Sequence, residues 1–323
     1  MDFSDLEAFQ AYVSKNLPKF IALAFFGFVT ANHVMPDGNN KGEHIIQVGT
    51  VDGEEIVGPW KELSVNDGKK STGMKPVKLR TVRGQFHEKY IPEQLENNYL
   101  GELRKRGQSV DDFPVYQYMM ELLAGAIAQN NEKAMWKAEE TVSPTKLSQM
   151  FDGYLKQVQD AIDATTLTPV VLGNLWSPTN DTETAPTGSV DIYDAFEQLV
   201  DTLPEEIQQE GVYIFCSAKN KRLWERANKR KFKLSKEDLK REDVDKTSMT
   251  GEMRVIGCPG MNGSNRIIAT PMRNIYFSHD DPEDSNTFNI QQILNVFHVF
   301  GSYRIGANFA MVDNNWMAIN ELA

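Results

Sequence analysis

Apolar residues recur along this chain in more than one rhythm, and each rhythm predicts a different kind of element. Near the N-terminus Leu6, Phe9, Val13 and Leu17 fall at helical spacing. They follow Ser4-Asp5-Leu6-Glu7, a capping-box arrangement in which a serine hydroxyl and a glutamate carboxylate satisfy orphan amides. Pro18 predicts the end of that helix, because it lacks an amide hydrogen and crowds the preceding turn. The apolar run at 20–29 then reads as a segment buried against the body, which makes residues 1–43 a docked arm. That run is about half the roughly 20 residues a membrane-spanning helix needs. Val29-Thr30-Ala31 resembles a signal cleavage site, but Asp2, Asp5 and Glu7 and the helical pattern ahead of it favour the buried segment.

From about 44 to 91 the rhythm shortens to apolar triplets alternating with polar residues, broken by Asp52-Gly53, Asp67-Gly68 and Thr72-Gly73. Those turn signals between strand-favouring residues predict a two-stranded ribbon. Its return arm, 75–91, holds few large apolar side chains. Two strands alone bury too little surface to be stable in water. The ribbon is therefore either a loose surface loop or ordered by another molecule, and the rarity of long structureless insertions favours the second.

Helical spacing returns at 114–138, where Val115, Tyr118, Met119, Leu122, Leu123, Ala126 and Ile127 mark one face behind Asp111 and Asp112. A second helix is expected after Pro144 from Leu147, Phe151, Leu155, Val158 and Ile162. Residues 167–172 read as a buried strand and 176–188 as an exposed loop. Asp191 caps a helix carrying Ile192, Phe196, Leu199 and Leu203. Short strands follow at 212–216, at 253–256 and 267–269 around an Asn262-Gly263 turn, and at 274–277, with an alternating C-terminal stretch through Ile305, Ala307, Phe309 and Met311. Helices and strands interleave without a steady β-α-β rhythm, so the fold class is α+β rather than a doubly wound sheet.

Composition narrows the function classes. The 323 residues, 41% of them hydrophobic, suffice for a large core, and a formal net charge of −11 argues against nucleic acid attracting the chain as a whole. Two cysteines, Cys216 and Cys258, lie far apart, which fits a reducing compartment and no disulfide framework. The charge is strongly segregated. Lys69, Lys70, Lys75, Lys78, Arg80 and Arg83 follow one another with no acid among them. Residues 219–241 hold eleven basic residues against three acids, and 181–211 hold nine acids with no lysine or arginine. Each cluster reads either as a solvated face or as part of a heterologous contact in which the basic ribbon meets the acidic lobe, including Asp191, Asp194, Glu197 and Asp201, of another copy.

Candidate chemistry is sparse. The stretch Gly301-Ser302-Tyr303-Arg304-Ile305-Gly306 lacks the spacing of a phosphate-binding loop. The five histidines are scattered singly; His279-Asp280-Asp281 is the one place resembling a metal-dependent hydrolase, and it reads more simply as a turn after a strand. Cys216 falls within an apolar strand, where a thiol acts as a small hydrophobe. Trp224 and Phe232 within the basic run at 219–241 form a pattern that can bind nucleic acid, although lysines at helical spacing favour a solvated helix.

The order of these elements, with "DIYDAFEQLVDTLPEEIQQEGVYIFCSAKNKRLWERANKRK", "VIGCPGMNGSNRIIATPMRNIYFSHDD" and "VFHVFGSYRIGANFAMVDNNWMAIN" in sequence, resembles the major capsid proteins of tailed bacteriophages. Their shared fold is the Hong Kong ninety-seven type capsid fold. The resemblance implies an N-terminal arm at 1–43, an extended β-ribbon loop at 44–91, and a peripheral domain at 92–163 with a long spine helix at 114–138. It further implies an axial domain at 164–287 and closing strands of the peripheral domain at 288–323. It implies no catalytic residues, metal or cofactor. The expected partners are other copies of the chain, in pentamers and hexamers of an icosahedral shell, with scaffolding and portal proteins and packaged double-stranded DNA touched weakly and without sequence preference. No membrane is expected; the location is the virion, after assembly in the host bacterial cytoplasm. Because Met1 opens directly on the arm, scaffolding is expected from a separate protein or not at all. Encapsulin-like nanocompartment shells share the fold and are the alternative.

Overall fold

The computed structural model describes residues 6–38, 42–51, 72–107, 115–178, 183–232, 253–279, 289–293 and 296–321. Ser4, Asp5, the Asp52-Gly53 and Asp67-Gly68 turn signals, Lys69, Lys70, Asp111, Asp112, Asp280, Asp281 and the basic residues of 233–241 lie outside the described residues.

Helix α1 (Leu6–Phe26) runs through Pro18 instead of ending there. Phe9 and Val13 before the proline and Phe20, Ile21 and Ala24 after it are all buried. A proline in a helix interior costs about 3 kcal/mol. Burying Phe20 and Ile21, at about 1.5–3 kcal/mol each, offsets that cost. The apolar run is thus the second half of one helix. No described helix is long and apolar enough to cross a membrane.

Helix α1 packs against α3 (Val115–Lys137), whose length matches the sequence expectation but whose buried face is turned. Met119, Met120, Leu123, Ala124, Ile127 and Ala128 point inward, whereas Leu122 is 44% exposed. The inward face continues through Asn131, Glu132, Met135 and Trp136, past the last apolar residue that marks the pattern in sequence. Helix α2 (Pro92–Arg106) lies beyond the sequence expectation for this stretch; it has a proline in its first turn and ends on Gly107 at φ 64°. The helix expected after Pro144 begins later. A 3₁₀ turn (Leu147–Gln149) precedes α4 (Tyr154–Asp163), and the two are separate.

The main sheet is built on one long strand. Strands β1 (Met35–Asp37), β10 (Ile275–His279) and β11 (Asn289–Ile293) join β12 (Val296–Phe309) in the order β1-β10-β12-β11. Strand β4 (Val82–Tyr90) also pairs with β12, from Phe297↔Tyr90 to Ile305↔Val82. The stretch read as the ribbon's return arm therefore divides, and its second half belongs to the body. Alternate β12 residues Phe297, Val299, Tyr303 and Ile305 enter a core shared with α1, α3 and α4.

A second core sits in a lobe. Its sheet runs β13-β9-β7-β8, with β7 (Val212–Ser217), β8 (Met253–Cys258), β9 (Ile268–Thr270) and β13 (Ala318–Ile319). Strands β7 and β8 are parallel and joined through α7 (Ala218–Phe232), the one crossover that parallel pairing requires here. Strands β8 and β9 do not form a hairpin around Asn262-Gly263; β9 pairs with β7 on the side opposite β8. Residues 167–172 form no strand, only a bridge from Val170 to Asn320, and Val171 is 82% exposed. A short parallel pair, β5 (Asn174–Trp176) with β6 (Ser189–Asp191), opens the lobe ahead of α5 (Ile192–Asp201) and α6 (Glu205–Glu210).

Body and lobe meet on a buried carboxylate. Glu132 of α3 accepts from the Thr30 amide (2.9 Å) and hydroxyl (2.8 Å) on one side, and from the Gly260 amide (3.1 Å) on the other. The Trp136 indole donates to the same Thr30 hydroxyl at 2.7 Å. Gly260 is required by space: a Cβ there would lie 2.2 Å from the Glu132 carbonyl oxygen.

Candidate assembly surfaces

Strand β2 (Glu43–Val51) pairs antiparallel with β3 (Thr72–Arg80), from Glu43↔Arg80 to Val51↔Thr72. Of the ribbon side chains described, Leu79 alone is buried, and Ile45 is 56% exposed. The pair therefore has no core of its own along this length, and its order comes from backbone pairing and from its root.

The root is clamped to β12. The Arg80 amide donates to Asn308 Oδ1 at 3.1 Å while Asn308 Nδ2 donates to the Arg80 carbonyl at 3.1 Å, so one carboxamide imitates a strand partner. Asn308 Nδ2 also reaches Ser278 Oγ at 3.0 Å. Gly306 permits this approach, since a Cβ there would stand 2.0 Å from the Arg80 oxygen. Thr81 donates to the Gly42 carbonyl at 2.7 Å, closing the base from the other strand. The Arg80 guanidinium holds Glu140 with two bonds of 2.9 Å, which raise its already high pKa. Being half exposed, that pair adds only about 0–1 kcal/mol. Neutral amide bonds and Leu79 fix the root more than charge does.

Three of the expected cations, Arg80, Lys78 and Arg83, have neighbours within the chain. Lys78 lies 3.5 Å from Glu43 across the ladder. Arg83 is on β4, not the ribbon, and donates to Ser302 Oγ at 3.2 and 2.8 Å. It lines a groove of about 740 Å³ with Lys146, Leu147, Met150 and Phe300. Lys75 lies on β3 between the two ends of the ladder.

The acidic residues divide similarly. Asp191 caps α5, its Oδ1 accepting from the Tyr193 amide at 2.9 Å, and its other oxygen takes Arg230 of α7. Asp194 takes Lys231 at 2.7 Å, and that ammonium also sits 4.1 Å from the centre of the Tyr193 ring. Burial pushes the Glu197 carboxyl above its ordinary range, opposed by a hydrogen bond from Tyr193 and reinforced by Asp201. Asp201 ends α5 in solvent. The structure thus brings Asp191 and Asp194 against the chain's own basic helix α7. The Phe196 and Trp224 rings stack beneath that contact at 6.4 Å.

The residues considered for chemistry lie in cores. His279 ends β10, buried, its ring 5.2 Å from both Phe26 and Phe277. Among the described residues no group of three or more His, Cys, Asp or Glu is placed to hold a metal. Cys216 and Cys258 are free and buried; loss of solvation pushes the Cys216 thiol up to about 12 and the Cys258 thiol well above its usual value. Asn308, Gly306, Glu132 and Gly260 were not found from sequence. Each acts through a partner more than 70 positions away, and none carries a local motif.

No protein-family model and no curated relative matches the chain. Solved structures do. The capsid of an empty GTA particle superposes with a TM-score of 0.51 at 11% identity, covering 92% of this chain and 89% of that one. The satellite phage P4 procapsid gives 0.48 at 12% identity over 96% and 90% of the two chains. The capsid of Myoviridae phage XM1 gives 0.46 at 11% identity over 91% of each. An α+β chain with a ribbon projecting from its main sheet, superposing on the first of these almost end to end, shares the fold of that particle's capsid chain.

Proposed function

We propose that this chain is the major capsid protein of a tailed phage, assembling with copies of itself into the icosahedral shell around a double-stranded DNA genome. The observation that carries this reading is the ribbon: nine paired residues per strand, with Leu79 the one buried side chain among those described, clamped to the body at their base. Such a ribbon gains most by lying on a neighbouring subunit. The division of the hydrophobic residues into two clusters supports a peripheral domain built on α3 as spine and an axial domain built on α5 to β9. In this reading the axial domains gather into pentamers and hexamers, and the ribbon cations Lys69, Lys70, Lys75 and Lys78 lie over a neighbour, whereas Arg80, Arg83, Asp191 and Asp194 hold contacts within their own chain. Scaffolding and portal proteins complete the assembly in the host cytoplasm, and DNA contact is weak for a chain of net charge −11.

Light scattering of the purified full-length chain tests the reading. It predicts particles of megadalton mass that loosen as ionic strength rises, since surface charge contacts are screened. A species of monomer mass, both alone and with the flanking genes co-expressed, contradicts it. Particles that enclose a protein cargo and no DNA indicate an encapsulin-like shell instead.

A further inference from the structure

Helix α7 carries Lys219, Arg222, Arg226 and Lys229 at successive spacings of three, four and three residues. At 100° per residue these side chains fall within about 80° of arc along about 15 Å of helix. All four are exposed, and Asn220, Trp224, Ala227 and Asn228 form the opposite, buried face. Arg230 and Lys231, beyond them, pair with Asp191 and Asp194. None of the four forms an ion pair with a described residue; Arg222 only donates to the Ala218 carbonyl, at 3.2 Å. Solubility is served by mixed signs, not by a stripe of one sign on a chain of net charge −11.

The same lobe presents a counter-surface on different elements. Asp201 at the end of α5 and Glu205 and Glu206 at the start of α6 are exposed, and none pairs with a described cation. We propose that the α7 stripe of one copy binds the corner formed by Asp201, Glu205 and Glu206 of the next. This contact rests on the shell reading above and assigns it a second charged interface, separate from the ribbon. A two-fold pairing through α7 would set stripe against stripe, and like charges facing each other repel. Stripe against corner is heterologous, so repeating it advances head to tail and forms a ring when the rotation between copies closes. A nucleic acid is the weaker fit, because its phosphates would also pass Glu225 and Asp194 on the same helix pair.

The test is a charge swap in the full-length chain: Arg222→Glu with Arg226→Glu, Glu205→Lys with Glu206→Lys, and all four together. Particles are counted by sedimentation at low ionic strength, and Tm is recorded for each variant. Both double variants are expected to keep the wild-type Tm and to lose at least tenfold in sedimenting particles, and the fourfold variant to recover them. Either double variant assembling like wild type overturns the contact. So does a fourfold variant that fails to recover, including the case where the stripe variant instead loses DNA binding in a gel-shift assay. A wild-type chain that never sediments as particles removes the shell reading and this contact together. Particles from wild type and all variants alike remove only this contact.

Discussion

Glu132 is buried at 4% exposure yet accepts three hydrogen bonds, from Thr30 twice and from Gly260 once. Removing the carboxylate leaves those donors buried without a partner, and bonds to charged groups are worth about 1.5–3 kcal/mol each. Glu132→Ala is therefore expected to destabilise the chain by about 3–5 kcal/mol, read as a lower urea midpoint. Gly260→Ala should act on the same junction through the 2.2 Å clash with the Glu132 carbonyl oxygen. Glu197 behaves oppositely. Burial, with Asp201 and Asp194, raises its carboxyl against Tyr193 and Lys231. Folding then favours the protonated form, so its stabilising contribution is present in acid and is lost as pH rises through the folded value. Glu197→Gln should match wild type in acid and gain on it toward neutral pH in urea midpoints taken along a pH series. The cysteines give a simpler readout. With both thiols buried and raised, a thiol reagent should label neither Cys216 nor Cys258 until the chain unfolds; fast labelling of native protein contradicts the packing.

At the scale of elements, the ribbon is the feature whose behaviour should change most on assembly. In the free subunit its exposed strands offer Lys78 and Arg80 to trypsin, and in assembled particles the same bonds should be protected. Equal cleavage in both states contradicts a ribbon that lies on a neighbour. The paired strands of the ribbon are legible in sequence because strand-favouring residues and a lack of large apolar side chains are local properties, although Thr72-Gly73, read as a turn, is paired within β3. Also legible are α3, whose period is long, and α5, whose Asp191 cap is adjacent to it. The misreadings share a cause in partners distant along the chain. Pro18 breaks a helix only if nothing compensates, and the buried faces of Phe20 and Ile21 do. The face of α3 turned because its inward side is completed by Glu132 and Trp136, which bind Thr30 about a hundred positions earlier. Residues 82–90 resemble a ribbon arm locally, but β12 claims them. The expected acidic surface contained Asp191 and Asp194 as a composition run, without any sign that α7 already neutralises them.

The whole molecule joins a packed body and lobe to a ribbon that neither core covers. Charge is distributed to match: the paired acids and bases fasten α5 to α7, and the stripe and corner, which have no ion pair among the described residues, are exposed on the lobe. The proposed function requires that the ribbon be completed by a neighbour in a closed shell. Electron cryomicroscopy of particles purified from the full-length chain tests it most directly. The account predicts icosahedral shells tens of nanometres across, with five- and six-fold clusters of the lobe and with residues 43–51 and 72–80 lying over an adjacent subunit. A ribbon folded back onto its own subunit, or a chain that remains monomeric even with the flanking genes co-expressed, would contradict it.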